Sequence, residues 1–201
     1  MALDGIILSK VKQDLENYLP IRINRISETS KTEVVFNVHA NTVRTNLVIS
    51  LHSNYNHICL SERNYTTYND ASTFAMVLRK YILNGKILDV YQTGNERIIT
   101  FDIEHMNEMG DKSVKKLILE LMGKYSNVIL VEEDGTIIDS IKHVNAITSS
   151  IREVGPGKKY FVPDEITRIS PYNEGKIDEE EGEIISAAIE FGDKILHEVI
   201  V

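Results

Sequence analysis

The strongest constraint on the fold is a pattern that occurs twice: a helical stripe followed by short apolar runs with turn residues between them. In the first round, Ile6, Ile7, Val11, Leu15 and Leu19 recur at spacings of one to four over residues 5–18. That is the stripe of an amphipathic helix. Asp4 stands where an N-cap would, and Pro20 stops the run. Apolar runs around Ile21–Ile26, Val34–Val38, Val43–Leu51 and Ile58–Leu60 then predict a four-strand meander, with turns at Ser27–Ser30, Ala40-Asn41 and Ser53–Asn56. In the second round, Phe74, Val77, Leu78 and Ile82 mark a helix over 71–83, ended by Asn84-Gly85. Strands are expected over 86–91, 97–103, 114–122, 128–132 and 136–144, with Asp134-Gly135 as the hairpin turn between the last two. The run 112–122 also reads as a helix; its strand neighbours and Gly123 favour a strand. The expected fold class is α+β: a two-layer, antiparallel β-rich domain with flanking helices.

From Arg152 the chain turns irregular, with Gly155-Pro156-Gly157, Pro163 and Pro171. The expected division is a domain over 1–172, then an acidic linker and helix over 173–201 leading toward a following domain. Ile184, Ala188, Phe191, Ile195 and Val199 stripe that last helix. Residues 173–201 carry nine acidic and two basic side chains, which leaves 21 acidic and 20 basic in residues 1–172. Almost all of the net charge of −8 therefore belongs to the tail. The body is near neutral, with basic clusters at Arg79-Lys80, Lys112-Lys115-Lys116-Lys124 and Lys158-Lys159, so a polyanionic partner is compatible with it.

No apolar run reaches the ~18 residues of a membrane helix. The start lacks a basic n-region, and Cys59 is the single cysteine; both fit a cytoplasmic protein. His52 and His57 flank a predicted turn without a cysteine or carboxylate at ligand spacing, so no metal or other cofactor is called for. The stretch 155–160 lacks the GK[ST] ending of a P-loop, which leaves a structural turn or lysines touching a phosphate. No nucleophile elbow and no dinucleotide fingerprint is present. No catalytic constellation emerges, and a non-enzymatic role is expected.

What a core does not need lies in Gly94–Asn127. Gly94-Asn95 puts Glu96-Arg97 at a strand entrance, where an arginine can fork onto phosphate and an adjacent acid can orient it. An ion-paired strand end is the other reading. Further on, Glu120-Leu121-Met122-Gly123-Lys124-Tyr125-Ser126-Asn127 forms a compact polar and glycine block between apolar runs.

Several segments resemble the NFACT-N domain of the NFACT family, which includes the RqcH and NEMF proteins and the fibronectin-binding protein A sequences. They are Met1-Ala2-Leu3-Asp4-Gly5, Thr73–Tyr81 ending in Leu78-Arg79-Lys80, Gln92–Ile99, Glu120–Asn127 with the strands after it, and Pro156–Pro163. The resemblance runs in order from Met1 to about residue 165. It implies a fold like the N-terminal domain of formamidopyrimidine-DNA glycosylases. It also implies a role in ribosome-associated quality control. That role means binding tRNA, alanyl in bacteria, and the large (50S) ribosomal subunit with its stalled peptidyl-tRNA, and supporting alanine tailing without mRNA. Carried over, the tRNA-binding residues are Asp4, Glu96, Arg97, Glu120, Leu121 and Met122; the basic clusters themselves offer Arg79, Lys80, Lys124, Lys158 and Lys159 as candidate phosphate contacts. Glu96 stands where the family has Asp, one methylene longer. The start Met-Ala-Leu lacks the N-terminal proline nucleophile of the glycosylases. The rival expectations are a fibronectin-binding surface adhesin and a glycosylase-like enzyme.

Overall fold

The computed structural model describes residues 4–40, 43–66, 72–106, 109–145 and 152–162; the expected tail and its helix lie outside them. Helix α1 (Gly5–Glu16) leads into β1 (Ile21–Ser30), β2 (Glu33–Ala40), β3 (Val43–Ser50) and β4 (His57–Ser61). Helix α2 (Thr73–Ile82) leads into β5 (Lys86–Gln92), β6 (Ile98–Met106), β7 (Lys112–Glu120), β8 (Asn127–Glu132) and β9 (Ile137–Ser140). The helix-then-meander order holds in both rounds, and 112–120 is a strand.

The two meanders are not separate sheets. The order is β4-β3-β2-β1-β5-β6-β7-β8-β9, with every neighbouring pair antiparallel. The joint is short, Ile21↔Ile87 and Arg22↔Lys86, extended by Ile23 N–H to Gly85 O at 2.9 Å and Asn84 N–H to Ile23 O at 3.0 Å. Asn84 turns the corner at φ 66°, a left-handed conformation that asparagine tolerates.

One core still unites the halves. Ile23, Phe36 and Leu47 of the first meander meet Ile87, Phe101, Ile103 and Leu117 of the second. The helices cover it: α1 packs on β5 and β6, α2 on β1, β6 and β9. At one end the halves also touch directly, where the buried Asn56 Nδ2 donates to the buried Ser126 Oγ at 3.0 Å.

The expected turn at Ser27–Ser30 is instead the end of β1, with Ser27 opposite Val35 and Glu28 opposite Val34. Its polar groups are satisfied from across the fold. The Glu28 carboxylate accepts from Ser72 N–H (2.9 Å) and Ser72 Oγ (2.6 Å), and Ser72 Oγ in turn caps α2 by accepting from Ala75 N–H. Strand β9 is shorter than expected, because the buried Asn127 amide clamps both backbone groups of Lys142 and draws the chain out of the ladder.

Strands β6–β8 are apolar on both faces. On the outer face Ile98, Ile118, Ile129, Val131 and Ile137 form a second core with Val154, flanked by Met122, Val144, Tyr160 and Val162. Segment 152–162 is thus a strap over that face. Its Gly155–Tyr160 stretch is a structural turn: Gly157 N–H and Tyr160 N–H donate to Ile137 O and Gly135 O, and Ile137 N–H donates to Lys158 O. Among the described residues no helix is long and apolar enough to cross a membrane.

At the tip of the β8–β9 hairpin, Asp134 accepts from Lys159 Nζ at 2.7 Å and from Thr136 N–H and Oγ1. The Lys159 bond, then those of Thr136, hold its carboxyl down at about 2 against an ordinary value of 3.8. The folded value lies below the unfolded one, so this contribution is present above about pH 4 and is lost as pH falls toward 2. An NMR titration should find Asp134 near 2, and Lys159→Ala should return it toward the ordinary range. An Asp134 that titrates normally in the wild type contradicts the contact.

Candidate nucleic-acid interface

Three stretches far apart in sequence come together at the end of the sheet where β5 stops and β6 starts. Asp4 Oδ1 accepts from Ile7 N–H at 2.8 Å and caps α1. The next residue, Gly5, packs so tightly under the 93–96 turn that a Cβ on it would lie 2.0 Å from Asn95 O. Gln92 spans the gap, its Nε2 donating to Gly5 O (2.8 Å) and Glu96 O (2.9 Å). The turn closes through Glu96 N–H to Thr93 O, with Gly94 at φ 51°. Arg97 O then accepts from Leu121 N–H at 2.8 Å, which brings in the end of β7.

Backbone contacts therefore gather the Asp4, Glu96-Arg97 and Glu120–Met122 blocks, but at different depths. Asp4 is exposed; Glu96 and Arg97 are half-buried. Among the described residues no carboxylate pairs with Arg97. Its guanidinium carries five N–H donors, on a half-buried residue at the entrance to β6. Glu120 is only 1% exposed and Leu121 0%. The Glu120 carboxylate accepts from Arg152 Nη2 at 2.5 Å and Tyr160 OH at 3.0 Å. Burial, then the adjacent Glu120 charge, pushes the Tyr160 hydroxyl well above its usual range. Met122 rests half-buried against the second core.

Most of the basic clusters are neutralised. Lys115 pairs with Glu132 (2.5 Å), Lys116 with Asp102 (3.0 Å) and Lys112 with Glu104 (3.2 Å) across neighbouring strands. Lys158 pairs with Glu153 and Lys159 with Asp134. Arg79 Nε donates to Ile26 O at 3.0 Å and ties α2 to β1. Of these clusters Arg79, Lys80 and Lys124 have no carboxylate partner among the described residues; Lys80 and Lys124 lie over tyrosine rings, Tyr81 and Tyr125. Of the Lys112-Lys115-Lys116-Lys124 cluster, the first three are thus paired across neighbouring strands.

The Gly123–Asn127 block divides the same way. Ser126 and Asn127 are buried and make the inter-loop and strand-end bonds, while Lys124 and Tyr125 point to solvent. Sequence reading passed over Gly5 as a contact residue and over Asn56. Gln92 carried a signal: an amide opposite Ile99, at the end of a strand whose neighbours are core, needs partners that apolar residues cannot give.

The family model for NFACT N-terminal and middle domains matches residues 4–197. Rqc2 homolog RqcH of Streptococcus suis is 35% identical over 86% of this chain and 32% of that protein. Rqc2 homolog RqcH of Bacillus subtilis is 35% identical over 85% of this chain and 30% of that protein. The chain thus spans about a third of the length of these relatives. The solved N-terminal part of the fibronectin/fibrinogen-binding protein from Streptococcus suis superposes with a TM-score of 0.82 at 33% identity, over 92% of this chain and 68% of that one.

Proposed function

The chain belongs to the NFACT family, and from that premise we propose that it is the tRNA- and large-subunit-binding module of a cytoplasmic ribosome quality control factor. In this reading it supports mRNA-independent alanine tailing of stalled nascent chains and has no catalytic centre or cofactor of its own. The relatives named RqcH support the pathway. The observation that carries the site is Arg97: a half-buried arginine without a carboxylate partner among the described residues, framed by Asp4 and Glu96. Its guanidinium takes a tRNA phosphate or base edge, and the two acids orient it or accept from a base or ribose hydroxyl. Glu120, Leu121 and Met122 act from beneath, by fixing the ledge to which the Arg97 backbone is bonded. Lys80 and Lys124 add salt-dependent attraction. For Arg79, Lys158 and Lys159 to touch phosphate they would have to leave their present partners.

Arg97→Ala should weaken tRNA binding by about tenfold or more, the scale of one lost charged hydrogen-bonding group. The dependence of log K on log salt should flatten by about one ion. Titration of labelled tRNA at several salt concentrations reads both. Equal binding by wild type and variant sinks the assignment. A second reading follows from the name of the solved Streptococcus suis relative: binding to fibronectin. Saturable binding of immobilised fibronectin by a chain that ignores tRNA would favour it.

A further inference from the structure

Two turns stand side by side next to this ledge. The β3–β4 turn and the Gly123–Tyr125 turn are pinned at two points: Ser53 O lies 3.4 Å from where a Gly123 Cβ would sit, and Asn56 bonds Ser126. Tyr55 lies between Ser53 and Asn56 and Tyr125 between Gly123 and Ser126, so the two belong to abutting turns. They are 67% and 71% exposed. Each has one face backed by protein. His52 stacks on Tyr55 with ring centroids 5.2 Å apart, and Lys124 Nζ lies 4.8 Å from the Tyr125 centroid. Neither turn contains an acid, since residues 52–57 read His-Ser-Asn-Tyr-Asn-His and 123–126 read Gly-Lys-Tyr-Ser. Lys142 Nζ reaches Lys124 O and adds a second cation.

We propose that Tyr55 and Tyr125 form a stacking platform for unpaired bases of an RNA strand whose phosphates lie along Lys124 and Lys142. This rests on the reading of the Arg97 ledge as a tRNA site and adds what part of an RNA it takes: a single-stranded loop or end. Aromatic faces beside cations, with no acid in either turn, suit unstacked bases next to a phosphate backbone. A paired helix keeps its bases inside and cannot use the rings.

The test uses the 201-residue chain and a fluorescein-labelled single-stranded RNA of about twelve nucleotides, a length within the site size of known stacking grooves. The same strand annealed to its complement is the second probe, and Arg97→Ala with tRNA runs in parallel. Tyr55→Ala and Tyr125→Ala should each weaken single-strand binding about tenfold, with Tyr→Phe at either position near wild type and duplex binding unchanged. Unfolding midpoints of the alanine variants should match wild type, because both rings are exposed. Alanine variants that bind the single strand as wild type does overturn the platform, and a simultaneous loss in Arg97→Ala then leaves the tRNA reading standing. Equal losses on single strand and duplex also overturn it, since stacking would not be the cause. A wild-type chain that binds neither RNA nor tRNA but holds fibronectin through these tyrosines overturns both.

Discussion

Arg152→Ala should destabilise the fold by about 3–5 kcal/mol, the cost of leaving a buried charge without its partner. Glu120 is at the end of β7 on the outer face, among Ile98, Ile118 and Ile129, with 1% of its surface exposed. Arg152 crosses over from the strap at 2.5 Å, and Tyr160 supplies the second donor at 3.0 Å. With Arg152 gone, Tyr160 alone faces a carboxylate that water cannot reach. Either Glu120 stays unpaired or the strap lifts and exposes the second core. The Arg152 guanidinium also lies 5.8 Å from the Tyr160 ring centroid, so its loss removes packing as well as charge. Removing every polar member of the Glu120 pocket should undo most of the damage: Glu120→Leu, Arg152→Leu and Tyr160→Phe together leave no orphaned charge there, and the Phe161 carbonyl that Arg152 also bonds is on an exposed residue. Denaturant unfolding of the three chains, wild type, Arg152→Ala and the triple variant, decides it. A triple variant no more stable than Arg152→Ala would mean that the strap is held by something other than this pair. A further mark should appear in alkali. The Tyr160 hydroxyl is held above its unfolded value, so its contribution is complete below about pH 10 and is lost as pH rises beyond.

Glu120 also shows how far the sequence could be read. Both meanders and the Asp134-Gly135 and Asn84-Gly85 turns were legible, because period-two alternation and left-handed turn residues are local signals. The β1–β5 joint was not. Two residue pairs hold it, and nothing in either strand distinguishes an edge from a middle position. Glu120 was expected among the tRNA-binding residues, yet its own strand carried a sign of burial. Leu117-Ile118-Leu119 and Val128–Val131 are continuous apolar runs, which mean burial on both faces. An acid one residue beyond such a run is a candidate for a buried pair. For the candidate site, the local turn at Gly94-Asn95 was legible, but its union with Asp4 and Leu121 was not. That union depends on a glycine, an amide and a main-chain bond, none of which leaves a periodic trace.

Gly5→Ala should likewise destabilise, by about 1–3 kcal/mol, against what helix propensity predicts. Gly5 is the first residue of α1, where alanine would ordinarily be better by about 0.5–1 kcal/mol. Here the added methyl would meet Asn95 O at 2.0 Å and Asn95 C at 3.0 Å. Both are backbone atoms, so no rotamer change relieves the contact, and either α1 or the 93–96 turn must move. Gln92 and this close approach tie the turn to α1, whereas α1 is itself anchored by Leu8 and Leu15 in the main core. The turn therefore yields, and it carries Glu96 and Arg97 with it. The variant should lose tRNA affinity beyond its loss of stability, at temperatures where it remains fully folded. Gly155→Ala is the matched control: a Cβ there meets nothing within 4 Å, and its effect should stay within about 0.5 kcal/mol. If Gly5→Ala instead unfolds at or above the wild-type midpoint, the close approach does not exist. If it destabilises but binds tRNA normally, the 93–96 turn is not what positions the RNA contact, and the role assigned to Arg97 fails with it.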